Sequence, residues 1–115
     1  MQWRRAGLKW YDNRLVNMRL LTGTIDDLAM LGVAAVFDVI VVDGDHSYAS
    51  CFHDLEIGFG LLKPTGRIVV HDYAKGMLRR TCARGVILGV NDFCRTYRYK
   101  VDRVIETTAF LEKSP

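Results

Sequence analysis

The chain is 115 residues long, with 50% hydrophobic and 25% charged residues. That is the make-up of one globular domain with a real core, and it excludes a disordered or low-complexity segment. The formal net charge of +3 is too small to imply a nucleic-acid partner.

Residues 1–14 carry Trp3, Leu8, Trp10 and Tyr11 and read as the end of a helix plus a loop. Val16–Leu21 alternates weakly and is predicted as a short strand. Thr24 or Asp26 is the expected cap of a helix running to about Leu31, and Gly32 should end it. Phe37–Val42 is a short β-branched apolar run, predicted as a strand buried on both faces and therefore parallel to its neighbours. Asp43-Gly44-Asp45 stops it. From Tyr48 to Leu62 the apolar residues Cys51, Phe52, Leu55, Phe59 and Leu62 recur at helical spacing, with Ser47 as the N-cap. Lys63-Pro64-Thr65-Gly66 is expected to turn, and Arg67–Val70 to form a second buried strand ended by His71-Asp72-Tyr73. A helix is predicted from about Arg84 to Arg95. Tyr97–Ile105 and Thr107–Glu112 should form an antiparallel hairpin. Strand, helix, strand, helix and hairpin make an α/β pattern.

The basic groups Arg4/Arg5/Lys9 and Arg79/Arg80/Arg84 read as solvated faces. Cys51, Cys82 and Cys94 form no CxxC pair, which argues against a disulfide framework or zinc site and for reduced thiols in a cytoplasmic compartment. The apolar run Leu28–Val42 is broken by Gly32 and Asp38, so no membrane partner is expected. Met1–Gly7 lacks the apolar stretch of a signal peptide.

In open parallel sheets, ligands bind at the carboxyl ends of the strands. Here one strand ends in Asp43, Asp45 and His46, and the other in His71 and Asp72. One right-handed crossover helix between neighbouring strands would put both clusters on one rim. Carboxylates gathered there repel one another unless a positive group sits between them, and a hard divalent cation such as Mg²⁺ is the natural candidate. A remaining carboxylate or imidazole would serve as general base. Asp and Gly after a strand are also ordinary turn residues. His53, on the first long helix, reads as a surface or core residue.

Taken together, FDVIVVDGDHSY (Phe37–Tyr48), LLKPTGRIVVHDY (Leu61–Tyr73) and GVILGVNDF (Gly85–Phe93) resemble class I S-adenosylmethionine (SAM)-dependent methyltransferases of the "methyltransferase domain 24" type. The resemblance covers about Arg19–Phe93, with Thr65 standing where the family usually has glycine. It implies a partial Rossmann-like sheet, mostly parallel with a C-terminal antiparallel hairpin, in a single truncated domain over residues 1–115. It implies SAM as cofactor, with Gly23, Thr24, Asp43, Gly44 and His46 as cofactor contacts. Metal-dependent relatives imply Asp43, His71 and Asp72 as ligands, with imidazole replacing one carboxylate, and Mg²⁺ as the metal. Asp45 resembles the general base of sugar-directed relatives, and His46 competes for that role. The implied reaction is methyl transfer to a hydroxyl of a small acceptor, a sugar or another hydroxyl compound.

The family's glycine-rich SAM loop is not found: no GxG triplet precedes Phe37. Residues 1–36 are too few for the family's first three strands and their helices. Val16–Leu21 is therefore expected to pair with the exposed edge of Phe37–Val42, to pair with another chain, or to stay loose. A homo-oligomer or a completing partner chain is one expectation, and weak SAM binding another. The competing reading is a non-catalytic remnant acting as an interaction or dimerisation module. A metal-dependent hydrolase is disfavoured by the lack of an HxH ligand set. The Asp72–Arg84 stretch, with Lys75, Arg79 and Arg80, is the best candidate for an acceptor lid, a plain solvated loop being the alternative.

Overall fold

The computed structural model describes residues 9–11, 20–32, 34–73 and 81–115. Its contacts separate into two units, Met1–Ala34 and Ala35–Pro115.

In the first unit, strand β1 (Lys9–Tyr11) pairs antiparallel with β2 (Leu20–Thr22), Trp10 opposite Leu21. Trp10 and Tyr11, expected in the end of a helix or the loop after it, are in a strand. Leu20 and Leu21 find their partner within the same unit, not at the edge of Phe37–Val42. Trp3, Leu8 and residues 16–19 lie outside the described residues. Helix α1 (Ile25–Ala29) follows. Thr24 Oγ1 accepts from the Asp27 amide at 3.2 Å, and the Thr24 amide donates to Asp27 Oδ2 at 2.9 Å. This reciprocal capping box satisfies two donors that a helix start otherwise leaves unpaired. Gly32, at φ 73°, donates to the Ala29 carbonyl and closes the end.

The second unit is a mixed α/β layer with an open four-stranded sheet, compatible with a partial Rossmann-like fold. Strand β3 (Phe37–Val42) leads through helix α2 (Tyr48–Leu61) into β4 (Leu62–Val70). Helix α3 (Thr81–Tyr97) leads into β5 (Tyr99–Ile105) and β6 (Thr108–Lys113). The strand order is β3-β4-β6-β5. Only β3 and β4 pair in parallel, Ile40 opposite Ile68 and Val42 opposite Val70. The β4–β6 and β5–β6 pairs are antiparallel. The expected mostly parallel sheet is corrected here for a topological reason. β3, β4 and β5 point the same way, but the tight hairpin reverses β6 and wedges it between β4 and β5.

Ser47 caps α2 as expected, accepting from the Ser50 amide at 3.2 Å. The turn expected at Lys63–Gly66 is absorbed into β4. The ladder pairs Phe37 with Leu62 and Val39 with Arg67, so β4 passes five residues while β3 advances two. The surplus bulges out of register, which is how Pro64 is accommodated in a strand.

α2 and α3 cover one face of the sheet. Leu55, Ile68, Val90, Phe93, Ala109 and Leu111 are all 0% exposed in this layer. Phe59, Phe93, Tyr97 and Tyr99 close its far end as an aromatic cluster, with ring centroids 5.1–6.3 Å apart. β3 is less buried than its sequence suggested. Val39 and Val41 are 56% and 65% exposed, because they point to the face opposite the helices. β3 has no strand partner on its outer edge among the described residues.

Candidate functional site

The in-register pair Val42–Val70 brings the ends of β3 and β4 to one level. The His71 amide donates to the Val42 carbonyl at 3.1 Å, and the Tyr73 amide to the Thr107 carbonyl at 2.7 Å. The chain leaving β4 is thereby pinned on both sides of Asp72. Asp72 itself adopts φ 62°, a left-handed conformation in which Asp is one of the better-tolerated side chains.

From that position Asp72 Oδ2 lies 2.8 Å from His46 Nε2 and 3.2 Å from His71 Nδ1. His71 Nδ1 also lies 3.3 Å from Asp43 Oδ1. A single network therefore joins both strand ends: His46, Asp72, His71, Asp43. Asp72 is its most enclosed member and Asp43 its most open. Among the described residues no Lys or Arg pairs with Asp43 or Asp72; their partners are imidazoles. Asp45 Oδ1 accepts from the Ser47 amide at 2.8 Å, which tightens the turn into α2. Asp43, Gly44, Asp45, His46 and His71 border one shallow cleft, with Cys51 among its floor residues.

The ligand atoms of Asp43, His46 and Asp72 all lie within 4.8 Å of one another. The structure thus groups His46 with the two acids, with His71 Nδ1 at 3.3 Å from Asp43 and 3.2 Å from Asp72. Gly23 and Thr24 belong to the first unit, where the Thr24 side chain is the cap of α1. His53 is exposed on α2. Lys75, Arg79 and Arg80 lie outside the described residues, and so does the question of a lid.

Sequence reasoning missed the residues that support this rim. A Cβ on Gly85 would lie 2.6 Å from the Tyr48 nitrogen and 2.9 Å from the Ser47 carbonyl carbon. One turn on, a Cβ on Gly89 would meet Cys51 Sγ at 3.3 Å. The G-x-x-x-G spacing of GVILGV was the available signal: it puts both glycines on one helix face, where α3 can approach α2 and the His46–Tyr48 turn. Tyr73 Oη donates to Asn91 Oδ1 at 2.9 Å, and Tyr48 Oη to Asp92 Oδ2 at 2.6 Å. α3 thus also grips the residues that follow each strand-end cluster.

Burial favours the neutral thiol at both Cys51 and Cys94. Burial, with a smaller contribution from Asp54, pushes the Cys51 thiol up to about 11, and burial raises Cys94 to about 11. A thiol held protonated has little reactivity.

A family model described as a methyltransferase domain matches residues 2–73. The match includes β3, α2, β4 and both strand-end clusters, and it stops before α3 and the hairpin. No curated protein and no solved structure matches the chain.

Proposed function

The chain belongs to the methyltransferase domain family, and from that premise we propose that it takes part in SAM-dependent methylation of a hydroxyl oxygen on a small acceptor, assisted by a divalent metal. The observation that carries this reading is the His46–Asp72–His71–Asp43 network at the ends of β3 and β4, inside the family-matched segment.

The donor set fits a divalent cation: two carboxylates and an imidazole converge, and no Lys or Arg among the described residues competes for those acids. Asp43, His46 and Asp72 would hold the ion, which would lower the pKa of an acceptor hydroxyl and orient it. SAM, when bound, supplies the electrophilic methyl group. Asp43, Gly44 and His46 on the rim are the proposed contacts to it. The glycine-rich turn that would cradle the rest of the cofactor is absent from the sequence before Phe37. Asp45 is the proposed proton acceptor: it stands beside the cluster, with one carboxylate oxygen held by the Ser47 amide. Holding the hydroxyl, the ion and this carboxylate in fixed geometry supplies much of the expected acceleration.

The test is transfer of labelled methyl from millimolar SAM to a panel of sugars and catechols, with and without added divalent metal. Asp43→Asn and Asp45→Asn should each abolish transfer while leaving the circular dichroism spectrum unchanged. Wild-type transfer that neither substitution reduces would overturn the reading.

A second reading, an interaction module that pairs with another copy or a completing chain, is favoured by the unpartnered outer edge of β3 and the exposed Val39 and Val41. Under it, Asp43→Asn would change neither assembly nor stability appreciably.

A further inference from the structure

We propose that the outer edge of β3 is a homodimer interface, in which β3 pairs antiparallel with β3 of a second copy about a two-fold axis at Val39. This rests on the second reading above, an interaction module, and goes further by committing to one occupant and one register.

The two edges of this one sheet are built differently. The β5 edge carries Lys100, Asp102 and Arg103. Arg67 lies 3.8 Å from Asp102 and 3.7 Å from Glu112, and Lys100 lies 3.1 Å from Glu112. Charges on an edge strand oppose pairing with another chain. β3 has no such protection. Its one charge, Asp38, is engaged by Lys63 at 3.1 Å, and Phe37, Val39 and Val41 are exposed.

The main chain of β3 sets the register. The Val36 amide donates to the Leu61 carbonyl, and the Val42 carbonyl accepts from the His71 amide. Even-numbered residues thus turn their backbone groups toward β4, and by alternation Phe37, Val39 and Val41 turn theirs outward, where there is no strand partner among the described residues. A second copy continues the ladder only by matching odd residues with odd. Centred on Val39, the pairing sets Val39 across from Val39 and Phe37 across from Val41, an aromatic–β-branched pair of the favourable kind. Asp38 then faces Ile40. Centring on Asp38 would oppose two carboxylates, and centring on Ile40 or Val41 would draw Asp43 into the ladder. The edge is therefore self-complementary without charge conflict, as a two-fold interface requires. A ladder over Phe37–Val41 is about 17 Å long and covers less than the roughly 800 Å² per partner of a standard interface. The dimer should accordingly be weak and concentration-dependent.

The test is sedimentation equilibrium of the full chain over a concentration series. Wild-type mass should rise from monomer to dimer. Val39→Lys and Val39→Glu should each weaken association on the order of tenfold or more, because each sets two like charges opposite one another at the axis. An equimolar mixture of the two variants should restore the dimer. Val104→Lys, at an exposed position on β5, should behave as wild type. If the charged variants lose their circular dichroism signal, Val39→Cys serves instead. Opposed Cα atoms about 5.5 Å apart suit a disulfide, so mild oxidation should cross-link that variant between copies and leave Val104→Cys and wild type uncross-linked. A wild type that stays monomeric, a dimer that neither Val39 charge weakens, mixed variants that stay apart, or cross-linking equally at Val104 would overturn the inference. A monomeric wild type would leave a completing chain as the remaining form of the interaction reading. Methyl transfer by the dimer would remove the non-catalytic reading and leave the interface standing.

Discussion

Gly85 of α3 lies against the backbone of Tyr48 so closely that a Cβ on it would sit 2.6 Å from the Tyr48 nitrogen. The obstruction is main chain and cannot swing aside. Alanine in a helix interior is intrinsically better than glycine by roughly 0.5–1 kcal/mol. Overpacking costs about 1–3 kcal/mol. The clash should win, so Gly85→Ala is expected to lower unfolding stability by a net ~1–2 kcal/mol in urea titration. Gly89→Ala, whose nearest contact would be 3.2 Å to Cys51 Cβ, should be milder. Equal stability of wild type and Gly85→Ala would show that α3 does not rest on this turn.

Asp72 separates site chemistry from stability. Its partners His46 and His71 are substantially exposed, and such ion pairs contribute about 0–1 kcal/mol. Asp72→Asn keeps a side chain that tolerates φ 62° but removes the charge. It should change the urea midpoint little while abolishing metal-dependent methyl transfer. Asp72→Ala should lose transfer equally and cost further stability from backbone strain, about 1 kcal/mol. A large stability loss in the asparagine form would show that the network is structural.

The thiols of buried Cys51 and half-buried Cys94 set an alkaline limit. Cys51 and Cys94 rise from 9.0 to about 11 in the folded chain, mainly through burial. The folded state therefore favours the neutral thiol. Its contribution is fully present below pH 9 and is lost as pH climbs through about 11. Urea midpoints should fall between pH 9 and 11, and the fall should shrink in Cys51→Ala, whose lower starting stability is measured separately at pH 8. At pH 7.5 both thiols should resist alkylation until denaturant is added.

The outer edge of β3 should promote association. Val41 is 65% exposed on an edge with no strand partner among the described residues, and such edges template pairing with other chains. Val41→Lys should raise the monomer fraction in light scattering and change stability by less than about 0.5 kcal/mol. An unchanged mass distribution would argue against edge pairing.

SAM binding by the chain alone should be weak. No GxG triplet precedes Phe37, so a large part of the expected cofactor cradle has no counterpart. Calorimetric titration should give a Kd weaker than about 10 μM (~−7 kcal/mol), with or without metal. Tighter binding would mean that the cofactor is held by other contacts.

What the amino-acid order determined by itself was local. FDVIVV runs apolar and β-branched and forms a strand; Ser47 caps the helix after it; Asp43–His46 and His71-Asp72 end their strands; the last two strands form a hairpin. Each follows from side-chain periodicity or turn chemistry within a few residues. The strand pairing of Leu20–Thr22 with Lys9–Tyr11, the place of β6 between β4 and β5, and the extension of β4 back to Leu62 came only with the tertiary structure. Those depend on which edges meet and on how a surplus of residues is absorbed in a ladder, and neither is written in any short window. The same holds for FDVIVVDGDHSY (Phe37–Tyr48). Its sequence marked Asp43, Asp45 and His46 as a strand-end cluster, but the approach of Asp72 to His46 and of Gly85 to the His46–Tyr48 turn are contacts between residues far apart in the chain.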